Sequence, residues 1–317
     1  MWRKLFDSLY SECDRLVELR PLPKGERAFF TRGDYSGMEA FLNKNRATNL
    51  FFGVGTRDGQ GGKKGNVREI PAVWCDIDFK DTPKEKAIEN VKRFPFRATA
   101  AVLSGNGVHL YWKLREPARR DEIDRVENLN RRIAYALGGD MASTEAARVL
   151  RVPGTLNYKY TPPRPVKLHR LDSFLYDLET FEDLLPEVPE GQTVKPMESR
   201  DPEVILECDF LRFCKERPEK VSEPLWYAMI SNMICVRPGG RSLVHDLSRG
   251  YPKYNPKETD NKILHALDGP GPHTCLYIKG KGFKCEKTCP VKAPAGLLYQ
   301  MSEEPKNAKQ RWKFPTG

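Results

Sequence analysis

Apolar positions recur at helical spacing at the start of the chain, at Trp2, Leu5, Phe6, Leu9, Tyr10, Cys13, Leu16 and Val17. They predict an opening amphipathic helix packed on the domain behind it. Residues 49–55 read as a short strand. A glycine-rich basic loop follows at 56–66, suited either to a phosphate or nucleic-acid contact or to an ordinary hairpin tip. Residues 72–79, Ala-Val-Trp-Cys-Asp-Ile-Asp-Phe, are β-branched, aromatic and apolar except for two carboxylates, which predicts a strand entered through Pro71. Residues 99–104 and 108–114 predict two strands joined at Gly105-Asn106-Gly107, where glycine and asparagine tolerate positive φ. Ile123, Val126, Ile133 and Leu137 mark a helix from about Asp121, stopped by Gly138-Gly139.

The pattern changes at 186–203, where four prolines and little apolar content predict a linker. Helical spacing resumes beyond it. Val204, Leu206, Phe210, Leu211 and Phe213 predict one helix, and Ser222-Glu223-Pro224 opens another that carries Leu225, Trp226, Met229, Met233 and Ile234. Pro238-Gly239-Gly240 breaks it, and shorter helices are expected at 242–248 and 259–267. The fold class is α+β: a domain of strands and helices over 1–185, the linker, a small all-α domain over 204–300, and a basic tail over 301–317 with Lys306, Lys309, Arg311 and Lys313.

Composition adds a partner. With 39% hydrophobic and 30% charged residues, the 317-residue chain can bury a core under a highly charged surface. Lys and Arg exceed Asp and Glu by 53 to 43, a net charge of +10. That suggests a polyanionic partner, most simply nucleic acid. No apolar run approaches the roughly 18 residues of a membrane span. The N-terminus lacks the apolar core of a signal peptide. The expected location is the cytoplasm, with no membrane partner.

Three groups of residues carry candidate chemistry. Side chains alternate across a strand, so Asp76 and Asp78 share one face while Cys75, Ile77 and Phe79 turn to a core. Like charges on one face repel. A divalent cation between them offsets that cost, and hard oxygen ligands suit Mg²⁺ or Mn²⁺. The simpler alternative is a strand end running into solvent at Lys80-Asp81. On the next hairpin, alternation sets His109, Tyr111 and Lys113 against Val108, Leu110, Trp112 and Leu114. Ser104, the amides of Gly105, Asn106 and Gly107, and His109 form a cluster suited to phosphate oxygens. Further on, Arg148 and Leu150 share one strand face and Arg151 takes the other. Glu145, just before that strand, can supply a third carboxylate.

Of eight cysteines, Cys13, Cys75 and Cys235 sit in apolar patterns and read as small core residues. The others gather after residue 200: Cys208 or Cys214, then Cys275, Cys285 and Cys289. In a cytosolic chain such a cluster points to metal before disulfide. Four thiolates can hold tetrahedral zinc or a cubane iron–sulfur cluster, although the spacing is not the paired Cys-x-x-Cys of zinc ribbons.

Taken in order, Asp76-Ile-Asp78, Ser104-Gly-Asn-Gly-Val-His109, and Glu145 through Arg148-Val-Leu-Arg151-Val-Pro-Gly-Thr-Leu-Asn157-Tyr-Lys159 resemble the three motifs of the archaeo-eukaryotic primase superfamily, the primase-polymerases of plasmids, phages and CRISPR loci. The resemblance covers roughly residues 45–170. The family's third acid is usually aspartate. Glu145 stands at the matching place here, with Asp140 as the alternative. The resemblance implies an RRM-like mixed sheet and template-directed nucleotidyl transfer with two divalent ions at Asp76, Asp78 and Glu145. It further implies a triphosphate held by Ser104, Gly105, Asn106, Gly107 and His109, with Arg148, Arg151, Asn157 and Lys159 as further contacts. The implied partners are a single-stranded DNA template, dNTPs or NTPs, and proteins of replication or CRISPR systems.

The C-terminal half resembles the iron–sulfur domain of the primase large subunit. The matching features are an early helical cysteine, His245-x-x-x-Arg249, Tyr251 and Tyr254, Pro272-His-Thr-Cys275, then Cys285 and Cys289 with Pro294 beyond. That implies a 4Fe-4S cluster, with zinc as the alternative, at Cys208 (or Cys214), Cys275, Cys285 and Cys289. It also implies template and initiating-nucleotide contacts at His245, Arg249, Tyr251, Lys253 and Tyr254. The expected activity is a primase-polymerase that starts and extends primers. Two other functions stay open: a gap-filling or translesion polymerase that needs a primer, and a non-catalytic replication initiator, which intact Asp76, Asp78 and His109 argue against. A P-loop helicase is excluded, since no Gly-x-x-x-x-Gly-Lys-[Ser/Thr] occurs.

Overall fold

Leu5, Phe6 and Leu9 bury one side of α1 (Trp2–Leu9), a helix shorter than the apolar spacing predicts. In the computed structural model, which describes residues 1–185, 187–188, 202–236, 239–268, 271–285, 287–289 and 291–299, the backbone amides of Asp14 and Arg15 donate to the Glu69 carboxylate at 3.1 Å. Those bonds turn the chain, and Val17 opens β1 (Val17–Leu22). Val17 is buried on a strand as it would be on a helix, so periodicity alone does not separate the two.

β1 lies between β2 (Ala28–Phe30) and β3 (Asn49–Gly53), with α2 (Tyr35–Lys44) on the connection between those two. Asp34 caps α2 by accepting from the amide of Gly37 at 2.9 Å. The glycine-rich loop at 56–66 is folded down. Asp58 accepts from the amide of Gln60 at 2.9 Å, and Lys64 pairs with Asp124 and Glu127 at 2.6 Å each. This arrangement favours the hairpin-tip reading over a free phosphate contact.

The second sheet holds the predicted carboxylate strand, β4 (Ile70–Asp78). Its connection through α3 (Lys84–Arg93) leads to β5 (Ala100–Leu103), and β6 (Gly107–Ala118) inserts antiparallel between β4 and β5. This is a split β-α-β unit, followed by α4 (Ile123–Leu137). β7 (Val149–Arg151) returns to the first sheet beside β3. β8 (Leu156–Asn157) and β9 (Arg164–Pro165) form a small hairpin, β10 (Lys167–Leu171) adds at β5, and α5 (Leu178–Leu184) ends the unit.

The class is α+β, but the expected mixed sheet is corrected. Every ladder between the named strands is antiparallel, because β6 separates β4 from β5, which run the same way, and the one parallel pairing among the described residues is an isolated bridge from Leu114 to Tyr176. The β4–β6 ladder shifts register between Ile70 and Ala72, at Pro71, which has no N–H to give.

The C-terminal helices are α6 (Asp209–Glu216), α7 (Glu223–Met233), α8 (Gly240–Ser248), α9 (Pro256–Asp268) and α10 (Cys275–Gly280). The single helix expected over 204–213 is broken. A 3-10 stretch, Pro202–Glu207, gives way to α6 at an extended Cys208, with φ −69° and ψ 122°. These helices pack on the first unit. Lys292 pairs with Asp183 at 3.4 Å, and Phe96 and Tyr176 face Ile234, Ala266 and Leu267 across a cavity of about 30 Å³. The expected linker at 186–203 lies outside the described residues except at 187–188 and 202–203, and the tail at 301–317 lies entirely outside them. No helix among the described residues is long and apolar enough to cross a membrane.

Candidate active site

Trp74, in the middle of β4, is fully buried. Its backbone N–H donates to Asn130 Oδ1 at 2.9 Å and its indole N–H to the carbonyl of Ser143 at 2.8 Å. Asn130, on α4, also donates to the carbonyl of Thr144 at 3.2 Å. Strand, helix and the segment after the helix are thereby locked together. α4 ends at Gly138 in the left-handed conformation, φ 71°. At Gly139 a Cβ would lie 2.3 Å from Cys75 Sγ and 3.0 Å from the Asp76 carbonyl. Only glycine permits that approach, and it lets the Asp140 amide donate to the Asp76 carbonyl at 2.7 Å.

Asp140 therefore stands beside the β4 carboxylates. Asp76, Asp78 and Asp140 line one cavity of about 220 Å³ between the two sheets. Asp140 also caps the turn Met141–Ser143, accepting from the Ala142 amide at 2.9 Å and the Ser143 hydroxyl at 2.5 Å. Glu145 does not reach the cavity. Its side chain is 48% exposed and pairs with Arg148 at 3.4 Å. Of the two candidates for a third carboxylate, Asp140 and not Glu145 lines the cavity, because the Gly139 contact brings the chain to Asp76 and then leads it away.

The β5–β6 turn forms another wall. Ser104, Gly105 and Asn106 connect the strands, and the Ser104 amide closes the turn by donating to the Gly107 carbonyl at 3.0 Å. Gly105 takes φ 98°, while Asn106 stays at negative φ, contrary to expectation. His109 is not displayed at the tip. It is 3% exposed, opposite Asp76 in the ladder, with Nε2 3.6 Å from Asp76 Oδ1. Burial pulls its pKa below the usual histidine range. Asp76 opposes that shift, and Arg151 and Arg148 add to it. Tyr111, on the same face, is fully buried and packs toward Phe52 of the other sheet, so this strand face meets the intersheet core.

Cations close the site. Alternation sets Arg148 and Arg151 on opposite faces, yet both line the cavity. Arg148 precedes β7 and its guanidinium folds back onto Ser143 and Asp140. Arg151 donates to Asn49 Oδ1 at 2.7 Å and lies over the Phe51 ring at 4.7 Å. Lys159 and Asn157 also line the cavity. The Asn157 amide is committed to the Ser104 carbonyl at 2.8 Å, so it holds the turn. Asn130, Ser143, Tyr160 and Arg164 are neighbours that motif reading missed. A buried asparagine on an apolar helix face was the available signal for Asn130.

The donor set bears on a metal. Among the described residues no group of three or more His, Cys, Asp or Glu side chains is drawn tightly enough together to hold an ion. Three hard carboxylates nonetheless share the cavity, and among the described residues neither Asp76 nor Asp78 pairs with a lysine or arginine. Two buried polar atoms on the cavity's own residues, His109 Nδ1 and Arg148 Nε, lack a hydrogen-bond partner, as expected where a ligand completes a site. The donor types, hard carboxylates beside cations, are those that a divalent cation with a polyanion takes, though the carboxylates are not drawn together around one point.

In the C-terminal unit Cys208, Cys275, Cys285 and Cys289 line one cavity of about 330 Å³. Cys214 lies behind Cys208, fully buried, its thiol pushed up by burial. Burial pushes the Cys275 thiol up to about 11, with Cys208, Cys289 and Cys285 adding. Four soft donors thus line one cavity, without being drawn tightly together among the described residues.

Of the expected template contacts, His245 and Tyr254 meet and Tyr251 goes to the core. Tyr251 is stacked on Trp226 at 4.7 Å and buried. His245 bonds Asp260 at 3.0 Å and Tyr254 at 3.1 Å. Arg249 and Lys253 remain on the surface. The residues are close in sequence, but the core claims Tyr251 and leaves Tyr254 half-buried beside His245. A separate cleft of about 390 Å³ lies between Tyr227, Lys262, His265 and Tyr277.

No family model matches the chain. A replication protein of Clostridium perfringens is 25% identical over 187 residues, 53% of this chain and 40% of that protein, so the chain covers less than half the length of this relative. Among solved structures, the AEP domain of the primase-polymerase of cyanophage S-2L aligns with 16% identity and a TM-score of 0.44, over 58% of this chain and 97% of that one. The catalytic domain of primase RepB′, solved with initiator DNA, aligns with 15% identity and a TM-score of 0.39, over 55% and 87%. Primase RepB′ itself aligns with 10% identity and a TM-score of 0.42, over 89% and 99%. The chain is thus similar, at low identity, to a replication protein and to primases.

Proposed function

We propose that the chain is a nucleotidyltransferase of replication, a primase-polymerase that makes and extends primers on single-stranded DNA. The observation that carries this reading is the single cavity between two sheets where Asp76, Asp78 and Asp140 meet Arg148, Arg151 and Lys159. Acids beside bases in one polar cavity suit a metal-bound polyphosphate. The motif order and the similarity to a replication protein agree with it.

Asp76, Asp78 and Asp140 would hold Mg²⁺ or Mn²⁺, which when bound supplies charge neutralisation at the phosphates and a lowered pKa at the primer hydroxyl. The chain's own residues do the rest. Arg148, Arg151 and Lys159 bind phosphate oxygens. His109, kept neutral by burial, donates one hydrogen bond from the cavity floor, and the Gly105–Asn106 amides add donors at the turn. The walls fix the triphosphate relative to the carboxylates, and positioning of this kind removes much of the entropic barrier to bond formation.

In the C-terminal unit, Cys208, Cys275, Cys285 and Cys289 would hold an iron–sulfur cluster or zinc, stapling a small helical core. Arg249 and Lys253 are the surface cations left to track a template strand.

The test is nucleotide incorporation on unprimed and primed single-stranded DNA with Mg²⁺ or Mn²⁺, for the full chain and for Asp76→Ala with Asp78→Ala. Synthesis on both templates, lost in the double variant, is expected. Synthesis on primed templates alone would replace priming by gap filling, and no synthesis on either would refute a polymerase.

A further inference from the structure

We infer that the cavity continues into a nucleoside subsite on Tyr160, positioned by Arg164. The inference rests on the nucleotide reading above. At about 220 Å³ the cavity is smaller than the roughly 300 Å³ at the lower end of pockets that enclose a small ligand. A nucleotide whose phosphates occupy the cationic part must extend past the rim. What remains of it is uncharged, a sugar and a base with flat faces, and it calls for an aromatic surface. The cavity wall has two aromatic carbocycles, Phe51 and Tyr160. Phe51 lies beneath the Arg151 guanidinium, in the phosphate half. Tyr160 is half-buried, next to the exposed Lys159.

The ring is tethered. The Arg164 guanidinium lies 4.1 Å from its centroid. Arg164 Nη1 donates to Asn106 Oδ1 at 2.6 Å and to the Gly105 carbonyl at 3.2 Å. Asn106 Nδ2 in turn donates to Asp78 Oδ1 at 3.3 Å. Tyr160 and the Gly105–Asn106 turn sit in different hairpins, so backbone connectivity does not impose this alignment. Asn157 anchors the β8–β9 hairpin to the turn through the Ser104 carbonyl, and Arg164 adds the link to the ring: it joins the aromatic surface to the turn that faces the phosphates and, through Asn106, to a carboxylate. Arg164 is a positioning residue, and Tyr160 is the group that touches the nucleoside.

The experiment compares two probes by calorimetry on the full chain with Mg²⁺: a nucleoside triphosphate and inorganic tripolyphosphate. Tyr160→Ala is expected to lose roughly tenfold in affinity for the nucleoside triphosphate, the scale of one base–aromatic stack, and to keep wild-type affinity for tripolyphosphate. Retained tripolyphosphate binding also shows that the cavity is folded. Arg164→Ala is expected to weaken the nucleoside triphosphate as well, and to cost no further nucleoside selectivity, read as the ratio of the two affinities, in the Tyr160→Ala background, as coupled residues do. Equal loss on both probes, or none on either, overturns the inference and leaves the nucleotide reading standing. If the wild-type chain binds neither probe, the nucleotide reading fails and the subsite with it.

Discussion

The backbone N–H of Asp140 donates to the carbonyl of Asp76 at 2.7 Å, which places a loop carboxylate beside a strand carboxylate far from it in sequence. On the proposed reading these two and Asp78 are the metal ligands, and Glu145 is a surface residue. Asp140→Asn is expected to lower nucleotide incorporation roughly a hundredfold or more, because an ion that neutralises developing charge is worth several kcal/mol. Glu145→Gln is expected to stay near wild type. Primer-extension rates for the two variants decide it, and the reverse order would restore Glu145.

Asn130 links β4 to the Asp140 segment from inside the core. Asn130→Leu leaves the Trp74 amide and the Thr144 carbonyl without their partner. A buried polar group left unsatisfied costs about 1–3 kcal/mol, so urea unfolding should show a loss of that size or somewhat more. Incorporation should fall as well, since Asp140 loses its support. Wild-type stability in this variant would show that the two bonds contribute nothing.

His109 faces the cavity with an unpartnered Nδ1. A hydrogen bond to a charged group is worth about 1.5–3 kcal/mol. His109→Ala should therefore raise the apparent KM for nucleotide roughly tenfold or more, while template affinity by fluorescence anisotropy stays within about twofold. A loss of template affinity at unchanged nucleotide KM would assign His109 to the template instead.

Cys208 and Cys214 make opposite predictions. Cys208 shares a cavity with Cys275, Cys285 and Cys289, and Cys214 does not. Protein purified without oxygen is expected to carry iron or zinc by elemental analysis. Cys208→Ala should lose most of it, and Cys214→Ala should keep it while losing about 1 kcal/mol of stability through lost packing. Equal metal content in both variants and the wild type would remove the thiol site.

Local rules made part of this legible in advance. The period of two in β4 put Asp76 and Asp78 on one face, and turn chemistry marked the β5–β6 hairpin. Gly138-Gly139 ended α4 where expected, and helical spacing found α7, α8 and α9, because each depends on residues only a few positions apart. Tertiary structure decided the remainder. The approach of Gly139 to Cys75 brought Asp140 and not Glu145 to the cavity, and packing put Cys208 on one cavity with Cys275, Cys285 and Cys289. Arg148 joined Arg151 in one cavity although strand alternation separates them, and Tyr251 went to the core. Each of these outcomes depends on a contact between segments distant in the chain, and periodicity and spacing carry no information about which distant segments will touch.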